Sequence, residues 1–305
     1  MTVVFQERII YMPYMPPGAR SEKIDDYAAV CLPVVWQEER IRSGDGTKIS
    51  LCVGRLHLEE RIPPHRHEED EGLVICYFQG NGSSSPPRLP LLSHVLKLLD
   101  ARAPNVRCTI VALSYRGYWT SSGRATQQGI ELDAEAMLKW VAERYSRSQL
   151  ILWGQSIGAG IASTAAARCI QSKSYSKPLV TGLLLETPFT SIKSMLLALY
   201  PQSWLPYRYL GPFLRSHWDS ETALRSIAAA SLNASEISIL LMPATRDEVV
   251  PPQEVEKLED LCKELRLRYM RKDILGALHT EATTRRDGQK AVVDFVLKVR
   301  EKLSE

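Results

Sequence analysis

The sequence predicts an α/β fold: a mostly parallel central sheet with helices on both faces and a small cap insertion. Three observations carry that expectation. Short apolar runs such as Leu73–Phe78 (LVICYF) alternate with longer segments of helical periodicity, as strands buried on both faces alternate with crossover helices. An amphipathic strand pair with a turn signal precedes the alternation. The chain has 305 residues and 45% hydrophobic content, enough to bury one large core without a second fold unit.

The elements follow in order. Residues 1–34 form an arm rich in Pro and Tyr, where Pro13, Pro16, Pro17 and Gly18 break any regular element; the main domain is expected over 35–305. Val34–Arg42 and Lys48–Leu56 read as strands joined at Ser43-Gly44-Asp45-Gly46, with Gly46 free to take the positive φ of a hairpin turn. The polar stretch His57–Gly72 reads as a loop. Then come strand Leu73–Phe78, helix Leu91–Ala101 with Pro90 just before it, and strand Cys108–Tyr115. Met137, Trp140, Val141 and Arg144 set the spacing of a helix over Gly129–Tyr145. Strand Leu150–Trp153, an alanine-rich helix Ile157–Ile170 and strand Val180–Glu186 follow. An irregular, aromatic-rich segment runs to about Ala234, with Tyr200, Trp204, Tyr207, Tyr209, Phe213 and Trp218 among Pro201, Pro206 and Pro212. Residues 190–234 lie where an α/β sheet accepts a cap, and they read either as a lid over an apolar pocket or as packing on the sheet. Strand Ile237–Met242, helix Gln253–Leu265, strand Leu267–Arg271 and helix Gly288–Lys302 close the chain.

Charge narrows the partners. With 38 Lys+Arg against 35 Asp+Glu the net charge is +3, and there is no long run of like charges, so nucleic acid is not expected as a partner. Arg266–Lys272 alternates basic with apolar residues, as a strand with one solvated face would. Six cysteines show no CxxC or other metal spacing and suit free buried thiols in a reducing compartment. The N-terminus MTVVFQERIIYMPYMPP has no basic n-region, and no apolar run approaches the roughly 20 residues of a spanning helix. The expectation is a cytoplasmic chain, with contact to a membrane surface left open.

Ligands of such sheets bind at the carboxyl ends of the strands. There, strand Leu150–Trp153 runs through Gly154-Gln155-Ser156-Ile157-Gly158-Ala159-Gly160 directly into a helix. G-x-S-x-G between strand and helix is the turn that lifts a serine hydroxyl above the sheet, and it identifies the alpha/beta-hydrolase fold. Gly154 and Gly158 are needed because side chains there would collide with neighbouring backbone. A serine hydroxyl needs a base, and the base an orienting acid, in the chain order Ser, Asp or Glu, His. Asp247 lies just past strand Ile237–Met242; its neighbour Glu248 is expected to face solvent. Of the two histidines after Ser156, His217 precedes the acid and breaks the order, whereas His279 follows strand Leu267–Arg271. Ser156, Asp247 and His279 are therefore the expected catalytic residues. The N–H groups of Ile157 and of Asn81, in the loop Gln79-Gly80-Asn81-Gly82, are the expected oxyanion donors. Arg116 reads as a loop anchor, and His65 and His67 as a solvated loop rather than a metal site. No cofactor and no metal are expected.

The set QGNG (79–82), YRGYWTSSG (115–123), GQSIGAG (154–160), ETPFTSI (186–192), RDEVVP (246–251) and His279 resembles the serine-aminopeptidase-like branch of alpha/beta-hydrolase-domain proteins, which includes fungal bud-emergence-related proteins and animal protein depalmitoylases. The arm FQERIIYMPYMPPGAR is also similar to that group's lead-in. The resemblance spans roughly residues 35–300. It implies the same three catalytic residues and hydrolysis of an ester, thioester or amide in a small-molecule or acylated substrate. The chain departs from the group at Gln79, where His is common, and at Ala159, where Gly is common. The rival expectation is a scaffold that kept the fold and lost activity.

Overall fold

The computed structural model describes residues 2–56, 72–171, 180–199, 212–230 and 237–301. One eight-stranded sheet runs through them in the order β1-β2-β4-β3-β5-β6-β7-β8. The strands are β1 (Val34–Arg42), β2 (Lys48–Leu56), β3 (Leu73–Phe78), β4 (Cys108–Ser114), β5 (Gln149–Gln155), β6 (Val180–Glu186), β7 (Ser238–Met242) and β8 (Arg268–Arg271). β2 pairs antiparallel with both β1 and β4, and every other pairing is parallel. The β1–β2 turn closes through Ser43 N–H to Thr47 O (2.8 Å), with Gly46 at φ 82° as its sequence requires.

The helices are α1 (Thr2–Ile10), α2 (Ala28–Cys31), α3 (Leu89–Arg102), α4 (Gln127–Arg144), α5 (Ile157–Gln171), α6 (Ile192–Leu199), α7 (Ser220–Ala230), α8 (Pro252–Glu264) and α9 (Arg286–Glu301). They bury two apolar layers. Val74, Cys76 and Phe78 of β3 face the layer formed with α4, α5, α7 and α8. Leu73, Ile75 and Tyr77 face the layer formed with α3 and α9. Both faces of the strand are dry, which is why LVICYF shows no polar alternation.

Three local departures from the sequence expectation have physical causes. The arm opens with helix α1, since its first proline comes only at Pro13, after the helix has ended. Pro90 lies inside the first turn of α3, where a missing N–H costs nothing. The 190–234 segment was expected to be irregular, yet it contains α6 and α7; Asp219 caps α7 by accepting the Thr222 N–H at 2.8 Å, and Leu224 and Ile227 are fully buried. Trp218 is also fully buried, packed against Gly160 of α5, so this aromatic is core. Tyr200, Trp204, Tyr207 and Tyr209 lie outside the described residues, as do His65 and His67. The six cysteines are free, five of them buried. Among the described residues no helix is long and apolar enough to cross a membrane, and no His/Cys/Asp/Glu group could hold a metal ion.

Candidate active site

Parallel strands align their carboxyl ends, and four chain segments meet there. Ser156 follows β5 with φ 54°, a left-handed conformation that costs a non-glycine residue energy and turns its side chain out of the strand path. The turn closes only because its glycines are bare. A Cβ on Gly154 would lie 2.1 Å from the Gly158 carbonyl oxygen, and one on Gly158 would lie 2.1 Å from the Phe78 carbonyl oxygen at the end of β3.

The structure brings Ser156, His279 and Asp247 together. Ser156 Oγ is 2.8 Å from His279 Nε2, and His279 Nδ1 is 2.8 Å and 3.0 Å from the two carboxylate oxygens of Asp247. The His279 and Asp247 side chains are each 8% exposed. Asp247 is fixed by accepting the Val249 and Val250 N–H groups at 2.9 and 2.7 Å. The acid and base loops are zipped together: Thr245 N–H donates to Ile274 O (3.1 Å), Arg246 N–H to Ala277 O (3.0 Å) and Gly276 N–H to Thr245 Oγ1 (2.8 Å). Glu248 is exposed, as expected, but it also accepts the backbone N–H of His279 at 2.9 Å, so it helps hold the base loop. His217 is exposed, and its backbone N–H donates to Gln127, away from this cluster.

The oxyanion side comes from two segments. Ile157 is the first residue of α5, where a backbone N–H has no intrahelical acceptor. The loop after β3 lies against the serine: a Cβ on Gly80 would be 3.5 Å from Ser156 Cβ. Asn81 follows, with its side-chain oxygen accepting the Met12 N–H (3.0 Å) and the Tyr118 hydroxyl (3.3 Å). Ser83 N–H donates to Met15 O, so the arm holds this loop at two points. Further from the sheet, Tyr11 OH donates to Ser216 Oγ (2.9 Å) and accepts the Trp218 indole N–H (2.7 Å). Arg116 is a structural anchor: it pairs with the buried Asp133 at 2.8 Å and with Asp45 of the β1–β2 turn at 2.7 Å.

A cleft of about 250 Å³ opens beside Asp247 along the ends of β6, β7 and β8, with Pro188, Pro243, Val250 and Pro251 on its apolar side and Arg271 and Asp273 on its charged side. Sequence reasoning passed over Glu186, the last residue of β6. It is fully buried between the serine turn and the base loop, and burial pushes its pKa up against four hydrogen bonds that pull it down. Its sequence signals are a carboxylate ending a nearly apolar strand, VTGLLLE, and its place at the head of the motif ETPFTSI (186–192).

Comparison with known proteins agrees with this architecture. The family model described as alpha/beta hydrolase fold matches residues 74–202. Protein bem46 of Schizosaccharomyces pombe is 25% identical over 262 residues, covering 85% of this chain and 75% of bem46. The lysophosphatidylserine lipase ABHD12 of Danio rerio is 31% identical over 192 residues, covering 62% of this chain and 47% of ABHD12. Among solved structures, an alpha-beta hydrolase from Vibrio vulnificus superposes with a TM-score of 0.70 at 20% identity, covering 97% of this chain and 92% of that one. The chain has the alpha/beta hydrolase fold and is similar along most of its length to bem46 and the alpha/beta hydrolase domain-containing proteins related to it.

Proposed function

We propose that the chain is a serine hydrolase that cleaves an ester, thioester or amide through an acyl-serine intermediate. The observation that carries this reading is the unbroken hydrogen-bond path from Ser156 Oγ through the His279 imidazole to the Asp247 carboxylate, every link within 3.0 Å. In this reading Asp247 fixes the tautomer with the proton on Nδ1, leaving Nε2 free to take the serine proton as Oγ attacks the carbonyl carbon. In this reading the oxyanion is received by the N–H groups of Ile157 and Asn81. His279 then returns the proton to the leaving group. Water, deprotonated by the same imidazole, releases the acid. All chemistry comes from side chains and backbone, with no cofactor in the scheme.

The printed name of the Danio rerio relative, a lysophosphatidylserine lipase, supports an ester among the three bond types.

The test is labelling by a fluorophosphonate probe, followed by turnover of para-nitrophenyl esters of increasing chain length, thioesters and aminoacyl amides. Labelling of the wild type and none of Ser156→Ala is the expected result. A folded wild type that takes up no probe and turns over nothing on the panel favours the inactive scaffold.

A further inference from the structure

A general base must stay within hydrogen-bond reach of its nucleophile, and His279 is carried on a loop at the far side of β6 from Ser156. The zipper described above joins the base loop to the acid loop, but none of its bonds reaches β5. The strand between them does. β6 ends at Glu186, whose carbonyl oxygen accepts the Ser156 N–H at 2.9 Å. Its carboxyl group reaches both sides. Oε2 accepts the Trp153 indole N–H (3.0 Å) and Oε1 the Gln155 side-chain N–H (3.3 Å), both from β5. Oε1 also accepts the hydroxyl (2.7 Å) and backbone N–H (3.2 Å) of Thr283, four residues after His279.

The direction of these bonds is fixed by chemistry. Arg88 donates to Gln155 Oε1 at 2.7 Å and cannot accept, so the Gln155 amide must turn its NH2 group to Glu186. An indole N–H, a backbone N–H and an amide NH2 are donors only. Position 186 therefore requires acceptors on both oxygens. A glutamine there would turn its own NH2 against the Trp153 donor or the Thr283 and Gln155 donors. A fully buried carboxyl group is costly at a strand end that an apolar residue could also fill, and what this one gains is contact with both sides of the site.

Resting on the serine-hydrolase reading above, we propose that Glu186 is a positioning residue: its carboxyl group clamps the base loop, through Thr283, to the serine turn, through Trp153 and Gln155, and so sets the distance from His279 to Ser156. Loosening it changes how often the imidazole is in reach of the hydroxyl, and affects substrate binding little.

Glu186→Gln, Thr283→Val and Thr283→Ser are compared with the wild type by steady-state kinetics on a para-nitrophenyl ester. The proton NMR resonance of the His279 Nδ1–H is followed in the same proteins without substrate. Glu186→Gln is expected to lower kcat on the order of 10- to 100-fold with KM within about twofold, and to shift or broaden the His279 resonance. Thr283→Val, nearly isosteric but without the hydroxyl, is expected to move both readouts in the same direction by less. Thr283→Ser, which restores the hydroxyl, recovers kcat relative to Thr283→Val. Unchanged kcat and an unchanged His279 resonance in folded Glu186→Gln and Thr283→Val overturn the proposal. If Glu186→Gln does not fold, the Thr283 pair decides alone: equal kcat and equal resonance in Val and Ser overturn it. A wild type without turnover defeats the proposed function, while the resonance still reports on the clamp.

Discussion

At the scale of single residues, the geometry assigns the two later histidines opposite weights. His279 is buried between Ser156 and Asp247, whereas His217 is exposed and offers its backbone, not its ring, to Gln127. Under the proposed mechanism, His279→Ala lowers kcat on the order of 10³-fold or more, because it removes the imidazole hydrogen-bonded to the Ser156 hydroxyl. His217→Ala leaves kcat within about twofold, as a solvent-facing substitution should. Initial rates on one para-nitrophenyl ester separate the two, and the reverse ranking would refute the base assignment. That these three side chains come together was legible in the sequence, because chain order and strand ends place them. The second duty of Glu248 was not, since a side chain that accepts the neighbouring loop's N–H leaves no mark in spacing.

At the scale of elements, the serine turn depends on close backbone approach between α5 and β3. A methyl group at position 158 would sit 2.1 Å from the Phe78 carbonyl oxygen and 2.6 Å from that of Gln79, both backbone atoms that cannot step aside singly. Gly158→Ala is expected to cost about 1–3 kcal/mol in urea unfolding and to slow fluorophosphonate labelling by displacing the loop that bears Asn81. The arm offers a second case. Tyr11 is 2% exposed, and its hydroxyl joins Ser216 to Trp218. Tyr11→Phe leaves the buried Trp218 N–H without its acceptor, at an expected cost of about 1–3 kcal/mol by the same measurement. The Pro-rich text of residues 13–18 forecast a break and was silent on helix α1 and on these distant bonds, which join positions more than 200 residues apart.

At the scale of the whole molecule, one buried carboxyl group gives folding a pH signature. Burial raises the pKa of Glu186 above its ordinary value of 4.5. Below that value both folded and unfolded chains hold the proton, and the full contribution to stability is present. As pH rises, the unfolded chain releases the proton first, so stability falls until pH passes the folded value. Relative to Glu186→Gln, the wild type is expected to lose unfolding free energy upward from about pH 4.5, by at most about 1.4 kcal/mol per pH unit. Urea unfolding across that range checks it, and a difference that grows with pH would mean the charged form is favoured. The sequence by itself determined the strand order in time, the elbow and the three side chains at strand ends, because hydrophobic period and turn chemistry are local properties of the text. Only the tertiary structure decided which strand lies between them, and therefore that Glu186 of β6 touches both the serine turn and the base loop: sheet order is set by how packed layers close, and a carboxylate's partners are chosen in that closure.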